Sequence, residues 1–155
     1  MGEVTLHPQE ELGGHDFEKI WGWNSTVPKT MEQCVHKLIR TKAQTTPDAP
    51  AICSWDGEMT YGELDELSSR LAGHLVQLGV KPEDMVPLCF EKTMWTVVAM
   101  LAVLKAGGAF VPLDPEHPKS RHEEILRQTD ATLVLASLHC VTLWDHMDRT
   151  LSFQE

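Results

Sequence analysis

The histidine and cysteine side chains of this sequence are the first candidates for chemistry, since both bind metals and cysteine can act as a nucleophile. The 155 residues include eight histidines and four cysteines. Cys34 and His36 are separated by one residue, and no second pair is placed to complete a tetrahedral site. His139 and Cys140 form another isolated couple. We therefore interpret these histidines as solvated or core residues and assign no metal-binding residue.

The pair Gly107-Gly108 is a candidate for a phosphate-binding loop. Such loops run from a strand into a helix, which places the anion at the helix N-terminus. Here the glycines follow a predicted helix and lead into a predicted strand. We therefore interpret them as a helix C-cap and a tight entry into the strand.

Carboxylates offer a third chemistry, because two of them around one reacting atom can act as acid and base. Glu123 and Glu124 are adjacent in a predicted helix, so they point in different directions and fit a solvated face. Asp114 follows a predicted strand, where ligand sites of α/β proteins often form, but its position before Pro115 is typical of a turn or cap. The sequence also has no GxSxG nucleophile elbow. From the residues alone we assign no catalytic and no cofactor-binding residue.

The five tryptophans are many for this length. A base-stacking role would require basic neighbours, and these tryptophans have few. Trp95 is expected in the core of a buried helix, and Trp55 just before a hairpin turn. Trp21 and Trp23 are two residues apart, and we expect them to dock on a neighbouring surface.

Composition and charge narrow the class of protein. Hydrophobic residues make up 42% and charged residues 23%, which is typical of a globular domain. The net charge of −10 argues against a nucleic acid or an anionic membrane as partner. The acidic N-terminus does not resemble a signal peptide, and the apolar stretch from Met94 to Ala106 is too short to span a bilayer. The cysteines form no CxxC pair, and Cys53 and Cys89 are expected inside strands as small apolar side chains. We therefore predict reduced thiols and a cytoplasmic location.

The order of predicted elements indicates an α/β fold. Apolar periodicity and turn residues give a helix, a β-hairpin, and then helices alternating with strands, which is typical of a mostly parallel sheet flanked by helices. The sheet is expected to be incomplete, and Pro112 indicates that the far end of its strand is unpaired or at an edge. The predicted helices begin near Thr30, Thr60, Thr93 and Pro118, and the predicted strands are Ala49 to Trp55, Met59 to Tyr61, Met85 to Phe90, Ala109 to Leu113 and Thr132 to Ala136.

The helix after the hairpin has the clearest start signal. Thr60 and Glu63 form a capping box, and Met59 and Leu64 occupy the hydrophobic staple positions. Leucines at helical spacing continue the apolar stripe to Leu78, and a glycine then closes the helix. This segment is fully explained as a helix start, with no catalytic role.

The chain is expected to have two parts. Residues 1–29, with Pro8 and Gly13-Gly14 and no sustained period, are interpreted as a linker-like arm. Residues 30–155 carry the regular pattern and are interpreted as one domain.

Two segments in this order resemble the first two core motifs of the adenylation domains of nonribosomal peptide synthetases, in particular fungal ones. MTYGELDELSSRLAGHL (Met59 to Leu75) is similar to the first motif, with Met59 in place of the usual leucine. LKAGGAFVPLDP (Leu104 to Pro115) is similar to the second, with Phe110 where tyrosine is common. Upstream, WGWNSTVPKTMEQCVHKLI is similar to the linker that joins a condensation domain to an adenylation domain. The resemblance covers roughly residues 18 to 140.

The resemblance implies the N-terminal lobe of the adenylate-forming fold. Complete members activate an amino or carboxylic acid with ATP and Mg²⁺ and pass the acyl group to a carrier protein. Their phosphate loop, acid pocket and catalytic lysine come after these motifs, and no Gly/Ser/Thr-rich loop ending in lysine is found here. We therefore expect framework elements, no catalytic residue and no cofactor bound by this part alone, so that it is inactive in isolation.

Two other functions stay open from the sequence. The chain could be a binding or complementation module that docks on a larger synthetase, or the start of an acyl-CoA synthetase relative. An unfinished sheet would also leave apolar faces uncovered, which predicts self-association or marginal stability.

Overall fold

A computed structural model describes residues 14–144 and 150–153 of the chain. Pro8 and Gly13 of the predicted arm lie outside the described residues. The chain divides into two compact units, Met1–Glu32 and Gln33–Glu155, and each is described on its own. The predicted boundary at residue 30 stays a prediction.

The described part of the first unit contains a helix that the sequence did not predict, α1 (Gly14–Asn24). The interpretation of residues 1–29 as a linker-like arm stays a prediction. Two local interactions favour the helix. The rings of Phe17 and Trp21 lie one turn apart and meet edge to face at 6.0 Å. At the other end, the Asn24 side chain donates to the carbonyl of Ile20 at 2.8 Å. Trp21 and Trp23 are 62% and 77% exposed, and their docking on another surface stays a prediction.

The second unit follows the predicted order of elements and adds a strand that the sequence did not predict. That strand, β6, comes after a segment in which the periodic signal is weak. The helices are α2 (Val35–Thr45), α3 (Tyr61–Gln77), α4 (Met94–Ala106), α5 (Lys119–Thr129) and a 3-10 turn (Val141–Trp144), and the strands are β1 (Pro50–Ser54), β2 (Gly57–Thr60), β3 (Met85–Cys89), β4 (Ala109–Leu113), β5 (Val134–Ser137) and β6 (Thr150–Phe153).

Four strands form a parallel sheet in the order β4-β3-β5-β6, and β1 and β2 form a separate antiparallel hairpin. The predicted α/β class with a parallel sheet is therefore confirmed. Pro112 lies in β4, which is an edge strand among the described strands, as expected from its missing N–H.

The two faces of the sheet carry different helices. Along β3, Val86 and Leu88 pack with α3 and α4, whereas Cys89 joins the opposite cluster beside α5. In β5, Leu135 belongs to the first cluster and Val134 to the second. This alternation follows from the two-residue period of a strand, and it shows that the sheet is covered on both sides.

The predicted start of α3 is confirmed. Thr60 and Glu63 make both hydrogen bonds of the capping box, and Met59 and Leu64 are buried in one cluster with residues of α4. The apolar stripe ends earlier than expected, because Leu78 is the C-cap residue and is 41% exposed.

One further expectation needs correction. The first helix of the domain begins at Val35 rather than near Thr30, and Met31 lies before it. Cys53 lies in β1, as expected, and is exposed. Among the described residues, none of the helices is long and apolar enough to cross a membrane.

Candidate functional site

A cleft lies at the carboxyl ends of β3 and β5, between Glu91, which follows β3, and Ser137, which ends β5. Its volume is about 260 Å³. The walls are mainly aromatic and apolar, with one carboxylate and two hydroxyls among them. They comprise Trp55, Phe90, Glu91, Thr93, Trp95, Ser137, Leu138 and His139.

Glu91 is the charged group of the cleft. The Ser137 hydroxyl donates to its Oε2 at 2.6 Å, and Nδ1 of His139 lies 3.9 Å from its Oε1. Partial burial opposes ionisation of Glu91, but the hydrogen bonds, first of all from Ser137, and the nearby His139 outweigh it and lower its pKa. The side chain keeps 39% exposure, so a charged carboxylate faces solvent at the site.

The loop that carries Glu91 is held from both sides. The Thr93 N–H and the Thr96 hydroxyl donate to the Glu91 carbonyl at 2.8 and 2.7 Å. The indole N–H of Trp55 donates to the carbonyl of Lys92 at 2.8 Å, which ties the hairpin to the same loop. Hydrogen bonds to backbone carbonyls therefore hold the Glu91 loop and the Trp55 indole, and the hydrogen bond from Ser137 orients the Glu91 carboxylate.

The N-terminus of α4 lies beside the cleft and already holds an anion. Both oxygens of Asp56 lie 3.1 Å from the N–H of Met94, the first residue of the helix. Hydrogen bonds, first of all from Ser54 and also from Met94, lower the pKa of Asp56, although partial desolvation acts to raise it. Asp56 thus occupies the position where a helix N-terminus would otherwise bind a ligand anion.

The structure places the acidic candidates of the sequence away from this cleft and gives them local roles. The Asp114 carboxylate accepts from the N–H of Glu116 at 3.0 Å, as expected for a turn residue. Glu124 pairs with Arg127 at 2.7 Å, and Glu123 lies 3.8 Å from Lys119. The interpretation of the two glutamates as a solvated helix face is therefore confirmed.

Glycine is required at the two positions of the second motif for different structural reasons. Gly107 is the C-cap of α4 with a φ of 92°, a left-handed conformation that favours glycine. A Cβ on Gly108 would lie 2.9 Å from the carbonyl oxygen of Asp84, so the backbone approach requires a residue without a side chain. The interpretation as a cap and tight strand entry is confirmed.

The cysteines fall into two groups. Cys34 and Cys53 are exposed, whereas Cys89 and Cys140 are buried in the same cluster. Burial raises the pKa of the Cys89 thiol to about 12 and also raises that of Cys140. His139, next to Cys140, is 86% exposed, so the two side chains of this couple lie in different environments. Within residues 14–144 and 150–153, no three His, Cys, Asp or Glu side chains are grouped to hold a metal ion.

Sequence reasoning missed Glu91 and Ser137. A signal was available, since each lies at the carboxyl end of a predicted strand, where ligand sites form in open α/β sheets. Only the strand order shows that these two ends are neighbours.

Lys105 connects the two motif segments. Its Nζ donates to Asp65 Oδ1 at 2.6 Å, to the Asp65 carbonyl at 2.9 Å, and to the hydroxyls of Ser68 and Ser69 at 2.8 and 2.9 Å. Lys105 lies near the end of α4, and the acceptors lie on α3. The first motif and the second are therefore parts of one helix–helix contact.

Comparisons with known proteins agree with this framework. Residues 39–154 match the family model of AMP-binding enzymes. Nonribosomal peptide synthetase TES of Alternaria alternata is 60% identical over 129 residues, which cover 83% of this chain and 2% of that protein. Synthetase dtxS1 of Metarhizium robertsii is 55% identical over 128 residues, with the same 83% and 2% coverage.

A solved structure shows the same fold. The nonribosomal peptide synthetase FmoA3 bound to α-methyl-L-serine-AMP aligns with a TM-score of 0.73 and 28% identity, covering 87% of this chain and 16% of that one. The chain thus spans only a small share of the proteins it matches. It belongs to the AMP-binding enzyme family, and its fold is that of the N-terminal lobe of a nonribosomal peptide synthetase adenylation domain.

Proposed function

We propose that this chain is the framework part of an adenylation domain that activates an amino or carboxylic acid as its acyl-adenylate, for transfer to a carrier protein in secondary metabolism. The observation that carries the proposal is the match of residues 39–154 to AMP-binding enzymes, with both core motifs placed in one helix–helix contact. A cytoplasmic location and a carrier protein or the remainder of a synthetase as partners belong to the same proposal.

We infer that the cleft and the N-terminus of α4 do not themselves hold ATP phosphates or Mg²⁺. Phosphates require backbone N–H groups or basic side chains, but Asp56 already accepts from the N-terminus of α4, and the nearby cleft carries Glu91. Mg²⁺ prefers clustered oxygen ligands, and within the described ranges no such cluster of acidic side chains occurs. We derive no reaction step from these residues.

A chimera tests the framework role. Residues 39–154 would replace the matching segment of an adenylation domain of TES, and acid-dependent ATP–pyrophosphate exchange would be measured. We expect exchange to persist in the chimera and to be absent from the isolated chain. A folded chimera without exchange, or exchange by the isolated chain, would contradict the proposal.

A further inference from the structure

The cleft at Glu91 lies where the order of the sheet reverses. From β3 the chain passes to β4 on one side, and it then crosses to β5 and β6 on the other side. In doubly wound sheets this switch point opens a crevice outside the carboxyl ends of the strands, and ligands bind there. We propose that this crevice binds a small aromatic amine in its protonated form, with the ring against Trp55 and Trp95 and the ammonium at Glu91.

The size of the cleft limits the ligand. Its volume of about 260 Å³ is slightly below the roughly 300–1,000 Å³ of typical sites for drug-sized molecules. One aromatic ring with a short amine-bearing chain fits this space. The carboxylate of Glu91 in the cleft sets the proposed ligand, a cation, apart from the anionic adenylate that the family forms.

The charge of the cleft selects a cation. Phosphate ligands at a switch point usually bind the N-terminus of the adjoining helix. In this chain Asp56 occupies the N-terminus of α4, with both oxygens 3.1 Å from the N–H of Met94. Glu91 is the carboxylate that lines the cleft. Its charge repels an anion and attracts an ammonium group.

Glu91 has room to accept an ammonium hydrogen bond. Its Oε2 accepts from the Ser137 hydroxyl at 2.6 Å, which orients the carboxylate. The 3.9 Å between Oε1 and Nδ1 of His139 exceeds hydrogen-bond distance. The His139 side chain is 86% exposed, so it can move away from an incoming cation at little cost. A hydrogen bond between an ammonium and this carboxylate would be charge-assisted and therefore strong.

The aromatic walls favour a ring next to the charge. Trp55 is 80% exposed, and its hydrogen bond to the Lys92 carbonyl holds the indole at the rim of the cleft. Phe90 and Trp95 supply apolar surface deeper in the wall. A ligand ring can pack against these side chains, and its ammonium can also interact with an indole face.

In the test, the purified full chain is titrated with two probes that have the same phenyl ring and the same CH2–CH2 linker but opposite charge. 2-Phenylethylammonium is the proposed type of ligand, and 3-phenylpropionate is its anionic counterpart. The indole N–H signal of Trp55 and the backbone amide signal of Ser137 report binding by NMR. We expect saturable shifts of both signals with the amine and none with the acid.

Variants locate the site. Glu91→Gln keeps the size of the side chain and removes the charge, and it is expected to weaken amine binding by about 10-fold or more. Trp55→Leu is expected to weaken it as well, read from the Ser137 amide. Glu123→Gln, on the exposed face of α5, is the matched control and should leave the affinity unchanged.

Three results would overturn the proposal: equal binding of the acid, an affinity unaffected by Glu91→Gln, or binding of a lysine-containing peptide without binding of the amine. The last would identify a protein interface instead. If Glu91→Gln fails to fold, the proposal is still tested by the difference in binding between the two probes and by the affinity of the Trp55→Leu variant. The outcome is separate from pyrophosphate exchange by the chimera, which does not require the crevice to bind an amine.

Discussion

Lys105 Nζ lies 2.6 Å from Asp65 Oδ1 and joins the end of α4 to the first half of α3. The Lys105 side chain is 10% exposed and that of Asp65 is 24% exposed. Four acceptors surround the ammonium, so its three protons are fully used. This contact gives a physical reason for the joint occurrence of the two motif segments in one fold.

Removal of the ammonium is expected to destabilise the domain. Lys105→Met would leave the Asp65 carboxylate and the buried Ser68 hydroxyl without their donor. Because Asp65 can partly rehydrate, we expect a loss of about 2–3 kcal/mol in the free energy of unfolding, below the roughly 3–5 kcal/mol of a fully buried pair.

Urea denaturation measures this loss. Lys119→Met is the matched control, since Lys119 forms an exposed ion pair with Glu123 at 3.8 Å and its removal should change stability by less than about 0.5 kcal/mol. Equal effects of the two substitutions would contradict a special role of Lys105.

Substitution by alanine is expected to destabilise the domain at the two glycines before β4 and to stabilise it at a glycine inside α3. Gly108→Ala would place a Cβ 2.9 Å from the Asp84 carbonyl oxygen, a backbone atom that cannot easily move. We expect a destabilisation of about 1–3 kcal/mol from overpacking. Gly107→Ala would be strained by its φ of 92°, at a cost of about 1 kcal/mol.

Gly73→Ala is the control of opposite sign. No atom lies within 4 Å of the added Cβ, and Gly73 lies inside α3, so the substitution should stabilise the domain by about 0.5–1 kcal/mol. Thermal unfolding of the three variants gives the order of their stabilities. A Gly108→Ala variant as stable as the wild type would refute the close-approach argument.

The capping box of α3 is expected to contribute more to stability than the N-cap threonine of α4. Thr60 makes both capping hydrogen bonds with Glu63, and Thr60→Ala should cost about 1 kcal/mol. Thr93 is also an N-cap, but its side chain makes no cap hydrogen bond, so Thr93→Ala should cost clearly less. Similar losses in the two variants would contradict this assignment.

Thiol reactivity should separate the four cysteines into two pairs. Cys34 and Cys53 are exposed, whereas burial raises the pKa values of Cys89 and Cys140 and so keeps them protonated. A disulfide reagent at neutral pH should modify two thiols in the native chain and four in denaturant. Cys34→Ser/Cys53→Ser should show no fast reaction, and a fast-reacting thiol in that variant would contradict the burial of Cys89 and Cys140.

Acid should destabilise the chain partly through Glu91. Hydrogen bonds, first of all from Ser137, together with the nearby His139, lower the pKa of Glu91 despite partial burial. A depressed carboxyl pKa contributes stability above the ordinary value of 4.5, and this stability is lost as the pH falls below it through the folded-state pKa.

Urea midpoints at pH 6 and at acidic pH provide the measurement. Glu91→Gln should lose less stability on acidification than the wild type. Glu123→Gln, with only a 3.8 Å exposed ion pair, should resemble the wild type. A Glu91→Gln variant that is as acid-sensitive as the wild type would contradict the predicted contribution.

The local elements could be predicted because their signals lie within a few residues. Thr60 and Glu63 are three positions apart, and a capping box requires nothing beyond that spacing. Gly107 ends α4 for a similarly local reason. The α1 helix was missed because its short stretch shows no sustained apolar period and depends on contacts such as that of Phe17 with Trp21.

The sequence by itself determined the α/β class, the positions of the caps and the resemblance to adenylation domains, because periodicity and motifs are local properties of the chain. The tertiary structure decided which strand ends are neighbours. Glu91 and Ser137 are 46 residues apart and meet only because β5 pairs with β3 rather than with β4. The tertiary structure also decided that Lys105 contacts Asp65, 40 residues away in the sequence. Such contacts depend on strand order and helix packing, which no short stretch of sequence specifies.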